Sequence, residues 1–230
     1  MPLRVVPRRD RKLYRLVKAG EETRLKRGET LFRAGEPARD LFLVRTGHLR
    51  LTVTLPRRGG RSRKGLERTV AVRGPWELLG EGALVRGVSW RYGAVAGENS
   101  TVTVLDGDGV LAALKTAPKT LSNYLQAQED VLFRTRVRRP GFHASTAEER
   151  MADVLMDLSL RLGIEHGRGL RIPHWFTHQE LADLAGAHRS TVTTILNDWI
   201  YDGILKTDGK AIVVMRPAAL RKKGAILPQE

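Results

Sequence analysis

Between Leu25 and Leu105, apolar residues occur in short runs that are separated by turns rich in glycine or charge. The runs are Leu31-Phe32, Leu41–Val44, Leu49–Leu55, Thr69–Val72, Tyr92–Ala96 and Thr101–Leu105. The glycines that punctuate them at nearly regular intervals are Gly28, Gly35, Gly47, Gly74 and Gly80. Short strands with regular turn signals are typical of antiparallel sandwiches and barrels. The pattern predicts a β-rich domain of the jelly-roll type over residues 1–116.

The apolar period changes to that of a helix from Pro118 to Arg138, with Leu121, Tyr124-Leu125 and Val131-Leu132 at helical spacing. Such a helix would be ~30 Å long. Because its apolar stripe faces neither neighbouring domain fully, we expect residues 117–139 to form a dimer seam. Packing against the β domain is an alternative that is compatible with it. Pro140-Gly141 would end the helix and predicts a hinge at residues 140–143.

The remaining region, residues 144–230, begins with another predicted helix. Ser145 or Thr146 would cap it, and Glu148-Glu149 lie in its first turn. Its core stripe would consist of Met151, Val154, Leu155, Leu158 and Leu162. Residues 163–169 predict a loop, and the chain after Pro217 predicts an exposed tail.

Residues 177–196 predict two short helices joined by a glycine turn. Thr177 and Glu180 have the spacing of a capping box, and Gly186 falls where the chain must turn sharply. In the second helix Val192, Ile195, Leu196 and Trp199 would form the inward face. The opposite face is short, polar and rich in hydrogen-bond donors, as is typical of a surface that enters the DNA major groove. Its residues are His188, Arg189, Ser190, Thr191, Thr193 and Thr194.

Two strands are predicted next, at Gly203–Lys206 and Ala211–Met215, around an Asp208-Gly209 hairpin turn. Two helices followed by a two-stranded wing form a winged helix-turn-helix, which predicts DNA binding. An ordinary surface helical hairpin is the alternative interpretation, and the wing argues against it. The whole chain is therefore predicted to be an α+β protein.

The composition excludes several classes of protein. No run of 18 apolar residues occurs and the N-terminus has no secretory signal, so we expect a soluble cytoplasmic protein without membrane contact. The chain has no cysteine, which excludes disulfides, thiolate metal sites and iron–sulfur clusters. The chain has six histidines, and no metal site is expected. Because catalytic and phosphate-binding motifs are also absent, we expect no enzyme; an enzyme carrying a winged helix is a remote alternative.

The net charge of +15 favours a polyanionic partner, but its distribution is uneven. The first 116 residues carry 24 Lys or Arg against 12 Asp or Glu, whereas the other 114 carry 16 against 13. Part of the surplus is a cluster of Arg57, Arg58, Arg61, Arg63 and Lys64, with Arg68 close behind. A solvated hairpin tip and a contact to flanking DNA or an acidic protein both remain open as its role.

The arrangement resembles the cyclic-AMP receptor and FNR family of bacterial transcription regulators over nearly the whole chain. One signature is the glycine spacing from Lys26 to Leu51, which is similar to the family's β-roll sensor; the other is the winged helix-turn-helix. The resemblance implies a cyclic-nucleotide-binding-like sensor, a dimerisation helix and a homodimer on a two-fold symmetric promoter site. It also implies a regulator, for example an activator, that contacts RNA polymerase. An effector-independent regulator with a vestigial pocket is the alternative.

The resemblance assigns roles to the helix-turn-helix residues. Arg189 matches the arginine that pairs with guanine, and Gln179, His188, Thr191 and His178 match positions that contact phosphates. Ser190 and Thr194 stand where receptors of the cyclic-AMP type carry Glu and Arg. A short hydroxyl side chain can still contact a base edge, so we expect a base-reading set of Arg189, Ser190 and Thr194 with a different target sequence.

The same resemblance implies an effector site formed by Gly80, Glu81, Gly82, Ala83, Arg91 and Tyr92. Glu81 and Arg91 have the spacing of the carboxylate and arginine that hold ribose and cyclic phosphate in the family. However, Gly82 and Tyr92 depart from that pattern. Ser89-Trp-Arg-Tyr92 is instead similar to cyanobacterial nitrogen-control regulators, which bind 2-oxoglutarate. A cyclic nucleotide, a 2-oxoglutarate-like anion and a purely structural Glu81–Arg91 ion pair all remain open.

Overall fold

The computed structural model describes residues 17–56, 65–137, 146–173 and 176–225. These residues form two compact units, which meet in the sequence between Asp130 and Val131. The predicted hinge at residues 140–143 and the basic cluster from Arg57 to Lys64 lie outside the described residues. Within the described ranges no helix is both long and apolar enough to cross a membrane.

The first unit contains eight strands that pair in two antiparallel four-stranded sheets. One sheet has the order β1-β8-β3-β6 and the other β2-β7-β4-β5. The strands are β1 (Glu21–Leu25), β2 (Thr30–Phe32), β3 (Asp40–Thr46), β4 (Leu49–Leu55), β5 (Leu66–Arg73), β6 (Leu78–Leu79), β7 (Gly93–Ala96) and β8 (Ser100–Asp106). The predicted jelly-roll-like β domain is thereby confirmed.

An aromatic cluster forms the centre of the first unit. The ring of Phe32 stacks on Trp90, with ring centroids 4.3 Å apart, and on Phe42, with centroids 5.4 Å apart. These side chains are buried with Leu49, Leu79 and other aliphatic residues. Aromatic pairs of this kind contribute stability beyond the area that they bury. The cluster therefore fixes the two sheets against each other.

Two helices complete this part of the chain. The first, α1 (Gly107–Lys115), is not predicted because its Gly-Asp-Gly start resembles a turn in sequence. In the structure Asp106 caps it, accepting a hydrogen bond of 2.7 Å from the Gly109 amide. The second, α2 (Pro118–Val137), begins where the sequence predicts it.

The second unit is built on α3 (Ala147–Leu162). Thr146 and Glu149 form a reciprocal capping box at its start, which selects Thr146 over Ser145 as the cap. The predicted core stripe of α3 is buried throughout. The loop predicted after this helix is wrong, since the segment forms a hairpin of β9 (Ile164–His166) and β10 (Gly169–Ile172). All three residues of β9 are exposed, so no alternation of apolar and polar residues marks the strand.

The wing belongs to a sheet that is larger than predicted. Its strands β11 (Leu205–Asp208) and β12 (Ala211–Val214) pair with the preceding hairpin in the order β11-β12-β10-β9. Because Asp208 pairs with Ala211, the two turn residues are Gly209 and Lys210 rather than Asp208 and Gly209. Gly209 has a φ of 60°, which favours glycine at this position.

The predicted exposed tail is only partly correct, because Arg221 and Lys222 are exposed but residues Pro217–Lys223 form a helix, α6, that packs on α3. Leu220 points inward and is fully buried. Glu148 of α3 accepts hydrogen bonds from Lys223 at 2.8 Å and from the indole of Trp199 at 3.2 Å. The bond from Lys223 is the main cause of the lowered pKa of Glu148, and the bond from Trp199 adds to it. One buried leucine among basic residues is too weak a pattern to predict such a helix.

We expect Leu220→Ala to lower the free energy of unfolding by about 2–5 kcal/mol, because it removes a fully buried side chain and leaves a cavity. Lys222→Ala, on the exposed side of the same helix, should change it by less than about 0.5 kcal/mol. Urea unfolding of both variants measures the difference. Equal stability of the two variants would contradict the packing of α6.

Candidate nucleic-acid interface and sensor site

The helix-turn-helix consists of α4 (His178–Ala185) and α5 (Arg189–Tyr201). Thr177 and Glu180 form the predicted capping box at the start of α4. Gly186 ends α4 in the left-handed conformation, with φ 59° and ψ 44°. A side chain at this position would be strained, so glycine makes the sharp turn between the helices possible.

Arg150 of α3 binds the backbone of this turn. Its Nε donates to the carbonyl oxygen of Ala185 at 2.7 Å, and its Nη2 donates to that of Gly186 at 3.2 Å. The last carbonyls of a helix have no partner within the helix, and a cation there also interacts favourably with the helix dipole. The guanidinium therefore fixes the point from which α5 starts.

The two faces of α5 differ as the sequence predicts. Val192, Ile195, Leu196 and Trp199 are buried. The residues expected to read bases, Arg189, Ser190 and Thr194, are exposed on the other side. The Thr194 hydroxyl donates to the Ser190 carbonyl oxygen at 3.3 Å, so in the free protein its proton is directed along the helix. Packing of the inward face thus orients an outward face of short polar side chains around one arginine.

The residues expected at phosphates surround this face, and two of them have partners in the free protein. His178 Nδ1 lies 2.8 Å from the Thr193 hydroxyl, which joins the start of α4 to α5. The Gln179 amide donates to Asp183 at 2.8 Å. His188 and Thr191 are exposed. The Gln179 amide has a second N–H, which can donate to an anion.

A groove of about 780 Å³ lies between the start of α4, α5 and the wing. It brings His178, Gln179 and Arg189 together with Lys206 and Lys210 of the wing. None of the described residues that line it is acidic. Sequence reasoning missed the two lysines, although both flank the predicted hairpin turn and could have been found there.

The N-terminus of α5 adds to the positive character of the groove. His188 stands at the cap position without a side-chain hydrogen bond to the helix, and the first turn holds no acidic residue. By contrast, α3 and α4 both begin with a glutamate-containing capping box. Unsatisfied amides and the helix dipole make such an N-terminus attractive to an anion.

The expected sensor residues lie in the first unit around a short helical turn, Glu81–Leu84. Gly80 has a φ of 95°, and a Cβ there would lie 2.8 Å from the Asp40 carbonyl oxygen. A Cβ on Gly82 would approach Ala38 and the Trp90 ring at 3.3 and 3.4 Å. Both glycines therefore let the turn lie close against the core, and Ala83 packs against it.

Glu81 has Tyr92 as its partner rather than Arg91. The Tyr92 hydroxyl donates to Glu81 Oε2 at 3.1 Å, whereas Arg91 is exposed and forms no ion pair with Glu81. Burial, and secondly the Glu81 charge, raise the pKa of the Tyr92 phenol. The pKa of Tyr124 on α2 is raised by the same two causes in the same order. The hydrogen-bonded pair of Glu81 and Tyr92 thus lies in the part of the domain where the sequence predicts an effector.

Comparison with known proteins identifies both units. Residues 22–117 match the cyclic nucleotide-binding domain, and residues 149–223 match the Crp-like helix-turn-helix domain. The cyclic AMP receptor protein of Thermus thermophilus is 31% identical over 193 residues, which cover 84% of this chain and 82% of that protein. The global nitrogen regulator of Synechococcus elongatus is 27% identical over 199 residues, or 86% of each chain. The structure of FixK2 from Bradyrhizobium japonicum has a TM-score of 0.74 at 22% identity and covers 90% of this chain and 98% of its own.

A cyclic nucleotide-binding domain joined to a DNA-binding helix-turn-helix domain defines a class of transcription regulator. The chain belongs to the cyclic-AMP receptor protein and FNR (CRP/FNR) family. The expected family, its fold and the similarity to cyanobacterial nitrogen regulators are confirmed.

We expect Arg150→Gln to destabilise the helix-turn-helix unit by about 1–3 kcal/mol, because the partly buried carbonyl oxygen of Ala185 loses a charged donor. Arg150→Lys should be intermediate, since an ammonium cannot bond both carbonyls as the guanidinium fork does. Arg168→Gln, at an exposed position of the same unit, is the matched control. Thermal unfolding compares the four proteins, and a control as unstable as Arg150→Gln would argue against the role of Arg150.

Proposed function

We propose that two copies of this regulator bind one two-fold symmetric promoter site and that each copy reads a half-site with α5. The observation that carries the proposal is the exposed polar face of α5, which borders a groove whose described lining residues include cationic side chains and no acidic ones. A helix of this kind fits the major groove, and half-sites then lie about one turn of DNA apart.

Arg189 is the residue that we propose reads a guanine. Its guanidinium can donate to O6 and N7 together, which supports about 1–3 kcal/mol of discrimination. Ser190 and Thr194 would contact neighbouring base edges with their hydroxyl or methyl groups. Because these side chains are short, they reach only bases close to the helix. Arg189 would therefore supply most of the discrimination between base pairs.

Phosphate contacts would set the register of the complex. We assign them to His178, Gln179, His188 and Thr191, and the groove adds Lys206 of the wing. Contacts to phosphate position the protein on the duplex without reading its sequence. The amides at the start of α5 would bind a phosphate on the same side.

The homodimer would form along α2. Leu121, Leu125 and Leu132 are 38%, 57% and 52% exposed, which is unusual for large apolar side chains on one helix. Their spacing of four and seven residues places them on one stripe, as in a coiled-coil seam. A second copy of α2 would cover this stripe and bring two recognition helices to one DNA site.

Regulation would come from a small molecule bound in the β domain near Glu81 and Arg91. The cyclic nucleotide-binding domain supports a cyclic nucleotide, and the similarity to nitrogen regulators supports a 2-oxoglutarate-like anion. Binding would shift the population of dimers towards one that places both α5 helices at groove spacing. Promoter-bound dimers would then recruit RNA polymerase as an activator or block it.

A regulator that needs no effector is the second candidate. The observation in its favour is that Glu81 already has a partner in Tyr92 while Arg91 faces solvent. Measuring operator affinity with and without cyclic AMP, cyclic GMP and 2-oxoglutarate separates the two. An operator affinity that none of these ligands changes would favour the second candidate.

We expect Arg189→Ala to weaken binding to the operator by roughly 10- to 100-fold, because one bidentate base contact is lost. Binding to unrelated DNA should change far less, since it depends on phosphate contacts. The operator is first selected from random-sequence DNA with the unaltered protein, and both affinities are then measured at one salt concentration. Arg221→Ala, at an exposed position on α6, is the control. Equal losses on both DNAs would contradict base reading by Arg189.

We expect Leu125→Asp to weaken dimerisation by roughly 10-fold or more, because burial of one leucine contributes about 1.5–3 kcal/mol and the charge adds a desolvation cost. Gln126→Asp adds the same charge at an exposed position of the same helix, outside the leucine stripe, and should leave the dimer intact. Sedimentation equilibrium measures the two variants. Dimers of equal strength would place the subunit interface elsewhere.

A further inference from the structure

Glu81 is a carboxylate on a glycine-bounded turn within the cyclic nucleotide-binding domain. A carboxylate only accepts hydrogen bonds, so a ligand can bind it through a hydroxyl or an N–H group. In the structure one such group is already present, because the Tyr92 hydroxyl donates to Oε2 at 3.1 Å. The chain itself thus supplies the type of donor that a ligand would have to supply.

Several neighbours hold the Tyr92 side chain in this place. Its ring packs against Phe32 at a centroid distance of 5.8 Å, and the residue is half-buried beside the aromatic cluster. Burial, and secondly the Glu81 charge, raise the pKa of its phenol against the opposing charge of Arg73, so the hydroxyl keeps the proton that it donates to Glu81. Arg73 is itself held by the Leu78 carbonyl oxygen at 3.2 Å. The phenol is therefore held in place by packing of its ring as well as by its hydrogen bond to Glu81.

Packing connects the turn that carries Glu81 to α2. Tyr124, which is 8% exposed, belongs to a core cluster against which Ala83 and Leu84 pack. The turn that carries Glu81 is thus in packing contact with a core that includes a residue of α2.

We propose that Tyr92 is an internal ligand of Glu81 that competes with the effector, so that Tyr92 sets both the affinity and the selectivity of the sensor site. This inference rests on the effector-binding part of the proposed function and is independent of how α5 reads DNA. The effector that it concerns is a cyclic nucleotide, whose ribose hydroxyl takes the place of the phenol on Glu81. A ligand without such a hydroxyl cannot replace the phenol on Glu81, so removing the phenol does not raise the affinity of that ligand.

Competition of this kind has a measurable size. When only a fraction of the protein is in the competent state, the apparent dissociation constant rises by the inverse of that fraction. A hydrogen bond to a charged acceptor corresponds to a roughly 10-fold or larger change in an equilibrium constant. Removing the Tyr92 hydroxyl while keeping its ring should therefore strengthen effector binding about 10-fold.

The test is calorimetric titration of the full-length chain with 3′,5′-cyclic AMP, in which the 2′-hydroxyl is the only free hydroxyl of the ribose. We expect Tyr92→Phe to bind about 10-fold more tightly than the unaltered protein. Glu81→Gln should abolish this gain when the two substitutions are combined. Tyr201→Phe, at a fully exposed tyrosine, should bind like the unaltered protein.

A second probe, 2′-deoxy-3′,5′-cyclic AMP, keeps the base and the cyclic phosphate but lacks the hydroxyl. It should bind Tyr92→Phe and the unaltered protein within about two-fold of each other. A structural effect of the substitution would alter the affinity for both probes equally, and that result would overturn the proposal.

Unchanged or weaker binding of cyclic AMP by Tyr92→Phe would also overturn it. If the unaltered protein nevertheless binds cyclic AMP, the proposal of effector binding still holds and only the proposed role of Tyr92 is wrong. If neither protein binds cyclic AMP, this inference falls together with cyclic-nucleotide control, while operator binding by Arg189 is judged by its own measurement.

Discussion

The junction between α4 and α5 is the constraint on which the DNA-binding unit depends. Gly186 turns the chain in a conformation that other residues rarely adopt, and Arg150 binds the two carbonyl oxygens exposed there. Because α3 carries Arg150 and also packs on α6, one helix contacts both the turn and α6. The direction of α5 thus follows from the hydrogen bonds that Arg150 donates to the turn and from the burial of the inward side chains of α5.

The sensor unit depends in a similar way on close packing around aromatic rings. Phe32, Phe42 and Trp90 join the two sheets, and the glycine-bounded turn at Glu81 rests against this cluster. The site and the core of this unit are therefore parts of the same packing.

The sequence allowed both domains and the helix-turn-helix to be predicted because their signals are local. A capping box at Thr177, a glycine at the turn and helical spacing of apolar residues need no knowledge of distant contacts. Strand β1 was missed because long-range pairing defines it, β9 because all its residues are exposed, and helix α6 because it has a single buried leucine. The partnership of Tyr92 with Glu81 was missed for a related reason, since spacing along the chain suggested Arg91 as the partner of the carboxylate.

The separation of the two faces of α5 has a consequence for how this regulator can evolve. The fold requires burial of the inward residues, which are Val192, Ile195, Leu196 and Trp199. The outward side chains contribute little to the stability of the free protein. Substitutions at Ser190 or Thr194 can therefore accumulate without loss of the fold. Duplicated genes that encode such a scaffold could diverge towards separate sets of promoters while the cyclic nucleotide-binding domain remains unchanged.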